Sequence, residues 1–192
     1  MKKKFVMIID QNRCIGCDCC TIACIKENNT PYHWIEVETL NTPNKDTPQG
    51  KFPELTMDFL PKLCNHCSNP PCVSACPVDA IQKREDGIVV ILKEHCDGCQ
   101  LCLNACPYGI IKFNDVMSVA EKCNFCVHRV EQGLEPFCVT CCEGQAIYFG
   151  DINDKECKIS QLLVELKTFV LLPEKGTDPN VYYIPPRPRK RF

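Results

Sequence analysis

The chain has 192 residues, 22 Lys and Arg against 24 Asp and Glu, a formal charge of −2 and nineteen cysteines. So much cysteine departs from ordinary usage and leaves three classes open: a disulfide scaffold, a zinc protein or an iron–sulfur protein. There is no basic domain of the kind nucleic-acid binding needs, and no run reaches the roughly 18 apolar residues of a membrane span.

In chain order, Met1-Lys2-Lys3-Lys4-Phe5-Val6-Met7-Ile8-Ile9-Asp10 comes first. Five apolar residues closed by an acid, with no small-residue cleavage site, read as a first β-strand and not as a signal peptide. With the odd cysteine count, that start tells against a secreted disulfide scaffold. The first cysteine group follows, Cys14-x2-Cys17-x2-Cys20-x3-Cys24. The stretch from Glu27 to Pro61, with His33 and Trp34, has no cysteine and reads as a loop insertion, packed on a partner or on the surface. The second group is Cys64-x2-Cys67-x4-Cys72-x3-Cys76-Pro77. Val78-Asp79-Ala80-Ile81, a turn at Asp86-Gly87 and a strand-like Ile88-Val89-Val90-Ile91 come after it. The third group, Cys96-x2-Cys99-x2-Cys102-x3-Cys106-Pro107, leads through Tyr108-Gly109 into Ile110-Ile111 and so repeats the turn into an apolar strand. The fourth is Cys123-x2-Cys126-x11-Cys138-x3-Cys142, followed by Ala146-Ile147-Tyr148-Phe149. Lys158 to Phe169 reads as a helix, and Arg187-Pro188-Arg189-Lys190-Arg191 as a solvated tail or a docking contact.

Each group supplies three cysteines and then a fourth after a gap of three. Three thiolates on one tight loop suit a [4Fe–4S] cubane, whose corner the loop wraps, whereas zinc ribbons use two separated CxxC pairs. The third group matches the bacterial ferredoxin run with its proline, and in that run the fourth cysteine ligates the other cluster of a pair. The second and third groups, nineteen residues apart and alike in layout, therefore make one two-cluster unit. The first and fourth make a second unit around it. The fold class is α+β, two nested ferredoxin-like modules of short hairpins and short helices. Residues 1–24 with 112–150 form the outer module, 25–62 the loop insertion, 63–111 the inner module and 151–192 a C-terminal extension. Four [4Fe–4S] clusters follow, each on one quartet: Cys14, Cys17, Cys20 and Cys142; Cys123, Cys126, Cys138 and Cys24; Cys64, Cys67, Cys72 and Cys106; Cys96, Cys99, Cys102 and Cys76. They take the charge of the chain to about −10.

Cys19, Cys141 and Cys157 fall outside this spacing and read as small buried apolar residues, with Cys141 an alternative to Cys142 as ligand. His66, between Cys64 and Cys67, either tunes its cluster by a hydrogen bond or covers it at the surface. His128 and Arg129 read as structural. No Ser/His/Asp arrangement, Walker loop or GxGxxG is present, so substrate chemistry belongs to another protein.

The four groups in order, Cys64-Asn65-His66-Cys67 with Pro70-Pro71-Cys72, Lys122-Cys123-Asn124-Phe125-Cys126-x-His128-Arg129, and the late Lys175-Gly176-Thr177-x-Pro179-x-Val181-Tyr182-Tyr183 carry a resemblance from Phe5 to about Tyr183. The sequence resembles the iron–sulfur (β) subunits of the dimethyl-sulfoxide-reductase family of molybdopterin oxidoreductases, most of all the polysulfide, thiosulfate, tetrathionate and arsenate types. Two departures stand out. The fourth group usually ends Cys-Pro, but Glu143 follows Cys142; and Cys102 stands where the nitrate reductase branch has Trp and a [3Fe–4S] cluster. The resemblance implies a non-catalytic electron-transfer subunit. Its partners would be a molybdopterin or tungstopterin catalytic subunit and, at the other end, a quinone-reactive membrane subunit or a soluble carrier. It also implies an extracytoplasmic location reached by export with a partner, a cytoplasmic one being the alternative. Competing readings are a stand-alone polyferredoxin, the electron-input subunit of a tungsten or hydrogenase complex, and a structural zinc or disulfide protein.

Overall fold

The computed structural model describes residues 2–40, 42 and 44–187, so the basic cluster after Arg187 lies outside the described residues. Strand β1 (Phe5–Asp10) is the centre of a three-stranded sheet. On one side it pairs antiparallel with β8 (Ile147–Asp151), Ile9 opposite Ile147; on the other it runs parallel to β9 (Val181–Ile184), Met7 opposite Val181. Both faces of β1 are covered, which is why it is apolar at every position from Phe5 to Ile9 rather than alternating. Val6 and Ile8 pack with Ile159 of helix α6 (Lys158–Glu165), while Met7 and Ile9 turn to the main core with Phe125 and Tyr183.

Between β1 and β8 the chain forms α1 (Cys19–Asn28), the hairpin β2 (Ile35–Thr39) and β3 (Phe59–Leu63), α2 (Pro71–Ser74), and the hairpin β4 (Ile81–Lys83) and β5 (Val89–Ile91). Then come α3 (Leu101–Ala105), the hairpin β6 (Lys112–Asn114) and β7 (Val119–Glu121), α4 (Val127–Val130) and α5 (Phe137–Thr140). Helix α1 packs on α5 and α2 on α3, so the helices of the first and fourth cysteine groups meet, as do those of the second and third.

Three expectations change. The stretch 25–62 is not a plain loop. Ile35 and Val37 alternate inward with Glu36 outward, and Trp34, Leu63 and Phe59 are buried beside them, so the hairpin is a wall of the core. Helix α6 stops at Glu165 instead of Phe169. Thr168, Phe169 and Val170 are β-branched or aromatic, and Phe169 exchanges backbone hydrogen bonds with Tyr183 (2.9 and 2.8 Å), an extended arrangement those residues favour. The C-terminal extension, finally, is not peripheral: β9 is a strand of the central sheet, and Tyr183, fully buried, donates its hydroxyl to the Pro61 carbonyl at 3.0 Å.

Candidate metal centres

The loops that carry the cysteines are built twice over. In the first and third groups the residue before the second cysteine is Gly16 or Gly98, with φ +70° and +75°. Only glycine fits there: a Cβ would meet the Phe59 ring at 2.4 Å in one case and the Ser118 carbonyl at 2.7 Å in the other. Asp18 and Gln100, just after the second cysteine, are both left-handed (φ 58° and 59°) and start α1 and α3. In the second and fourth groups the left-handed residue is His66 or Phe125 (φ 42° and 56°), and a proline precedes the third cysteine's helix: Pro70-Pro71 before Cys72, Pro136 before Cys138. Three residues after the last cysteine, Asp79, Gly109 and Gln145 again take positive φ and turn the chain into the next strand.

These turns surround four small cavities, about 20, 20, 10 and 10 Å³ in turn. The first is lined by Cys14, Cys17, Cys20 and Cys142, with Cys19 beside them. The second is lined by Cys64, Cys67, Cys72 and Cys106, the third by Cys24, Cys123, Cys126 and Cys138, and the fourth by Cys76, Cys96, Cys99 and Cys102. Each cavity thus gathers three cysteines of one group and the last cysteine of another. Cys141 lies outside the first cavity, its thiol donating toward the carbonyls of Cys19 (3.6 Å) and Cys138 (3.7 Å). Cys157 packs under β1 with Val6 and Ile8. Among the described residues no three His, Cys, Asp or Glu side chains converge on one point as ligands of a single ion. Four thiolates that each bind a different iron stand apart around a cube.

Burial governs the electrostatics. It is the first cause that pushes the thiols of Cys20 and Cys72 up to about 12 and those of Cys24, Cys67 and Cys102 up to about 11, with neighbouring thiols of the same cavity adding to it. The thiols of Cys123 and Cys138 are held well above the ordinary thiol value, again by burial first. Thiols packed this densely stay protonated until a cation replaces the protons.

The remaining lining supplies hydrogen-bond donors. Asn28 Nδ2 points toward Cys24 Sγ and Cys126 Sγ at 3.7 and 3.8 Å, and the Ala146 N–H donates to Cys142 Sγ at 3.2 Å. Trp34 Nε1, beside the third cavity, and the Asn65 amide, beside the second, are buried with no protein partner. A buried N–H without an acceptor is costly, so these donors fit a cavity whose occupant offers sulfide acceptors. His66 is not a surface cover. It is fully buried, stacked on Phe125 with centroids 3.6 Å apart, and its Nδ1 accepts the Val89 N–H at 3.0 Å. Burial, and then Lys122, hold its pKa well below the usual histidine range, so the ring is neutral. His128 and Arg129 pair with Glu27 at 2.8 and 3.4 Å, tying α4 to α1. Lys122, Asn65 and Asn180 are not legible as functional residues in the sequence. Lys122 and Asn65 give only the signal of a polar residue beside a cysteine, which does not say whether its side chain faces inward, and Asn180 has no cysteine near it in the sequence.

The mixed α and β elements and four cysteine-lined cavities define a ferredoxin-like iron–sulfur protein. Residues 55–152 match the family described as "4Fe-4S dicluster domain". A tetrathionate reductase subunit of Salmonella typhimurium is 45% identical over 95% of this chain and 73% of its own length. A putative iron–sulfur subunit of dimethyl sulfoxide reductase from Halobacterium salinarum is 44% identical over 93% and 78%, and a polypeptide of the polysulfide reductase of Wolinella succinogenes is 39% identical over 96% of both. The chain belongs to the family of iron–sulfur, electron-transfer subunits of dimethyl-sulfoxide-reductase-type oxidoreductases.

Proposed function

We propose that this chain relays electrons through four [4Fe–4S] clusters between a molybdopterin catalytic subunit and a second redox partner, a quinone-reactive membrane subunit or a soluble carrier. The observation that carries this reading is the grouping of sixteen cysteines into four cavities. The thiolates of Cys14, Cys17, Cys20 and Cys142 would hold one cluster, those of Cys24, Cys123, Cys126 and Cys138 the next. Cys64, Cys67, Cys72 and Cys106 would hold the third, and Cys76, Cys96, Cys99 and Cys102 the fourth. Bound there, each cluster supplies one-electron transfer between its 2+ and 1+ states.

The pairing of first with fourth group and second with third supports two nested modules. The outer one takes residues 1–24 and 112–150, with the 25–62 hairpin as its wall; the inner takes 63–111; and 151–192 close both. The paired helices, α1 on α5 and α2 on α3, and the matching turns at Gly16 and Gly98 and at His66 and Phe125 support the same division. The exposure of Cys17 and Cys99 supports the first and fourth cavities as the points of electron entry and exit. The His66–Phe125 stack joins the loops of the second and third cavities in the interior. No helix among the described residues is long and apolar enough to cross a membrane, so a membrane contact would come through a partner. We place the complex on the extracytoplasmic side, reached by export with the catalytic partner.

The test is anaerobic purification of the tagged chain from its host. Copurification of a molybdopterin subunit, with about sixteen iron and sixteen acid-labile sulfide per chain, is the expected result. Recovery of the chain alone as a diffusing carrier, or with zinc in place of iron, would overturn it. Fractionation of the same cells, with external protease reaching the complex only in spheroplasts, checks the location.

A further inference from the structure

Lys122 is 3% exposed, in a chain whose other lysines mostly reach solvent. Its Nζ donates to the Val89 carbonyl and, at 3.0 Å, to the Cys123 carbonyl. No carboxylate pairs with it among the described residues: its neighbour Glu121 is engaged by Lys93, Thr30 and Asn114. Two carbonyl dipoles do not compensate a full positive charge taken out of water, and a buried ammonium survives only beside an anion. The cavity that Lys122 lines is the one of Cys64, Cys67, Cys72 and Cys106, which the unpartnered Asn65 amide lines as well. Of the other three, the Cys76 cavity has Asp97 and no cation in its lining, and the Cys24 cavity has no charged side chain in its lining. The Cys14 cavity has Arg13, whose guanidinium lies at the exposed surface and is spent on the Gly144 carbonyl and Gln145.

We propose that Lys122 is a potential-setting residue: its buried ammonium is the counter-charge of the cluster held by Cys64, Cys67, Cys72 and Cys106, and it raises the reduction potential of that cluster above the value the four thiolates alone would give. This rests on the cluster assignment made under Proposed function and deepens it. A fixed cation stabilises the more negative, reduced state, and does so strongly where water is excluded. Its action is local. Lys122 lines the Cys64 cavity and none of the other three.

The experiment is an anaerobic redox titration of the iron-loaded chain, followed by EPR, on wild type, Lys122→Met, Lys122→Arg and Asn65→Leu. In Lys122→Met one midpoint of the four falls, the ratio of reduced to oxidised cluster at fixed potential dropping about tenfold, equivalent to about 59 mV for one electron. Lys122→Arg restores most of the shift because it keeps the charge, and Asn65→Leu lowers the same midpoint by less. No shift in Lys122→Met, an equal shift of all four, or a different midpoint moving in Asn65→Leu overturns the proposal. If Lys122→Met takes up no iron, pulsed EPR of the unsubstituted chain labelled with 15N-lysine decides. One lysine nitrogen coupled to the cluster perturbed in Asn65→Leu sustains the assignment, and no lysine coupling to that cluster defeats it. Iron and sulfide content is measured on every sample. A wild type without clusters is a failure of the functional reading; a full complement with no shift is a failure of the Lys122 assignment alone.

Discussion

Cys141 and Cys142 are adjacent in sequence and face different surroundings. Cys142 lines the first cavity and accepts the Ala146 N–H, while the Cys141 thiol rests on two carbonyls outside it. Cys142→Ser should therefore lose one cluster, about four irons per chain, whereas Cys141→Ser should keep the full complement; iron and sulfide analysis separates the two. Glu121 makes a different prediction. It is 2% exposed, and although burial acts to raise its carboxyl pKa, Lys93, Thr30 and Asn114 together hold it below the usual value. A depressed carboxyl contributes stability that is present above the unfolded value of about 4.3 and is lost as pH falls through the folded one. Glu121→Gln should destabilise the loaded chain by about 1–3 kcal/mol near neutral pH, and the gap from wild type should close as pH drops below about 4. Unfolding followed by cluster absorbance measures both. The sixteen candidate ligand positions were legible because the iron–sulfur loop demands fixed spacing. Lys122, Asn65 and Trp34 were not, because their roles lie in where the side chain points.

Among the elements, β9 is the least legible in the sequence. Val181-Tyr182-Tyr183-Ile184 has a strand composition, but nothing local indicates that its partner is β1, more than 170 residues earlier. Asn180, at its start, holds the arrangement together. Its backbone N–H donates to the Asn65 carbonyl at 2.8 Å, its side-chain amide to the His66 carbonyl, and its own carbonyl accepts the Met7 N–H at 3.0 Å. Asn180→Ala should leave the buried His66 carbonyl unpaired and cost about 1–3 kcal/mol, read as a lower denaturant midpoint. A chain ended after Leu166 should lose β9 with it, exposing Met7 and Ile9, and should accumulate without bound iron when expressed beside the full-length form. The hairpin of β2 and β3 was hidden for another reason. The long connection between its strands reads as irregular, and only the alternation of Ile35 and Val37 hinted at a buried face.

At the scale of the whole chain, the cavities occupy positions that a core of this size would otherwise fill with side chains. Cys20, Cys24, Cys123 and Cys138 sit in the main core cluster itself. Chelation of iron under anaerobic conditions should therefore abolish most of the cooperative unfolding transition and most of the far-ultraviolet circular dichroism, since metal binding and folding are one equilibrium in such proteins. Reloading should release protons and proceed further at pH 8 than at pH 6, because the free thiols of the unfolded chain, with an ordinary pKa of about 8.5, must lose their protons to bind iron. The sequence by itself determined the chemistry: thiolate number, loop spacing and the glycines at Gly16 and Gly98 are local requirements of the metal and of the turns around it. Tertiary structure alone decided which buried cation faces which cavity, which strand completes the sheet, and that the 25–62 stretch is a wall of the core. Those outcomes depend on contacts between segments far apart in the chain, and the local residue pattern does not say which distant segment each will meet.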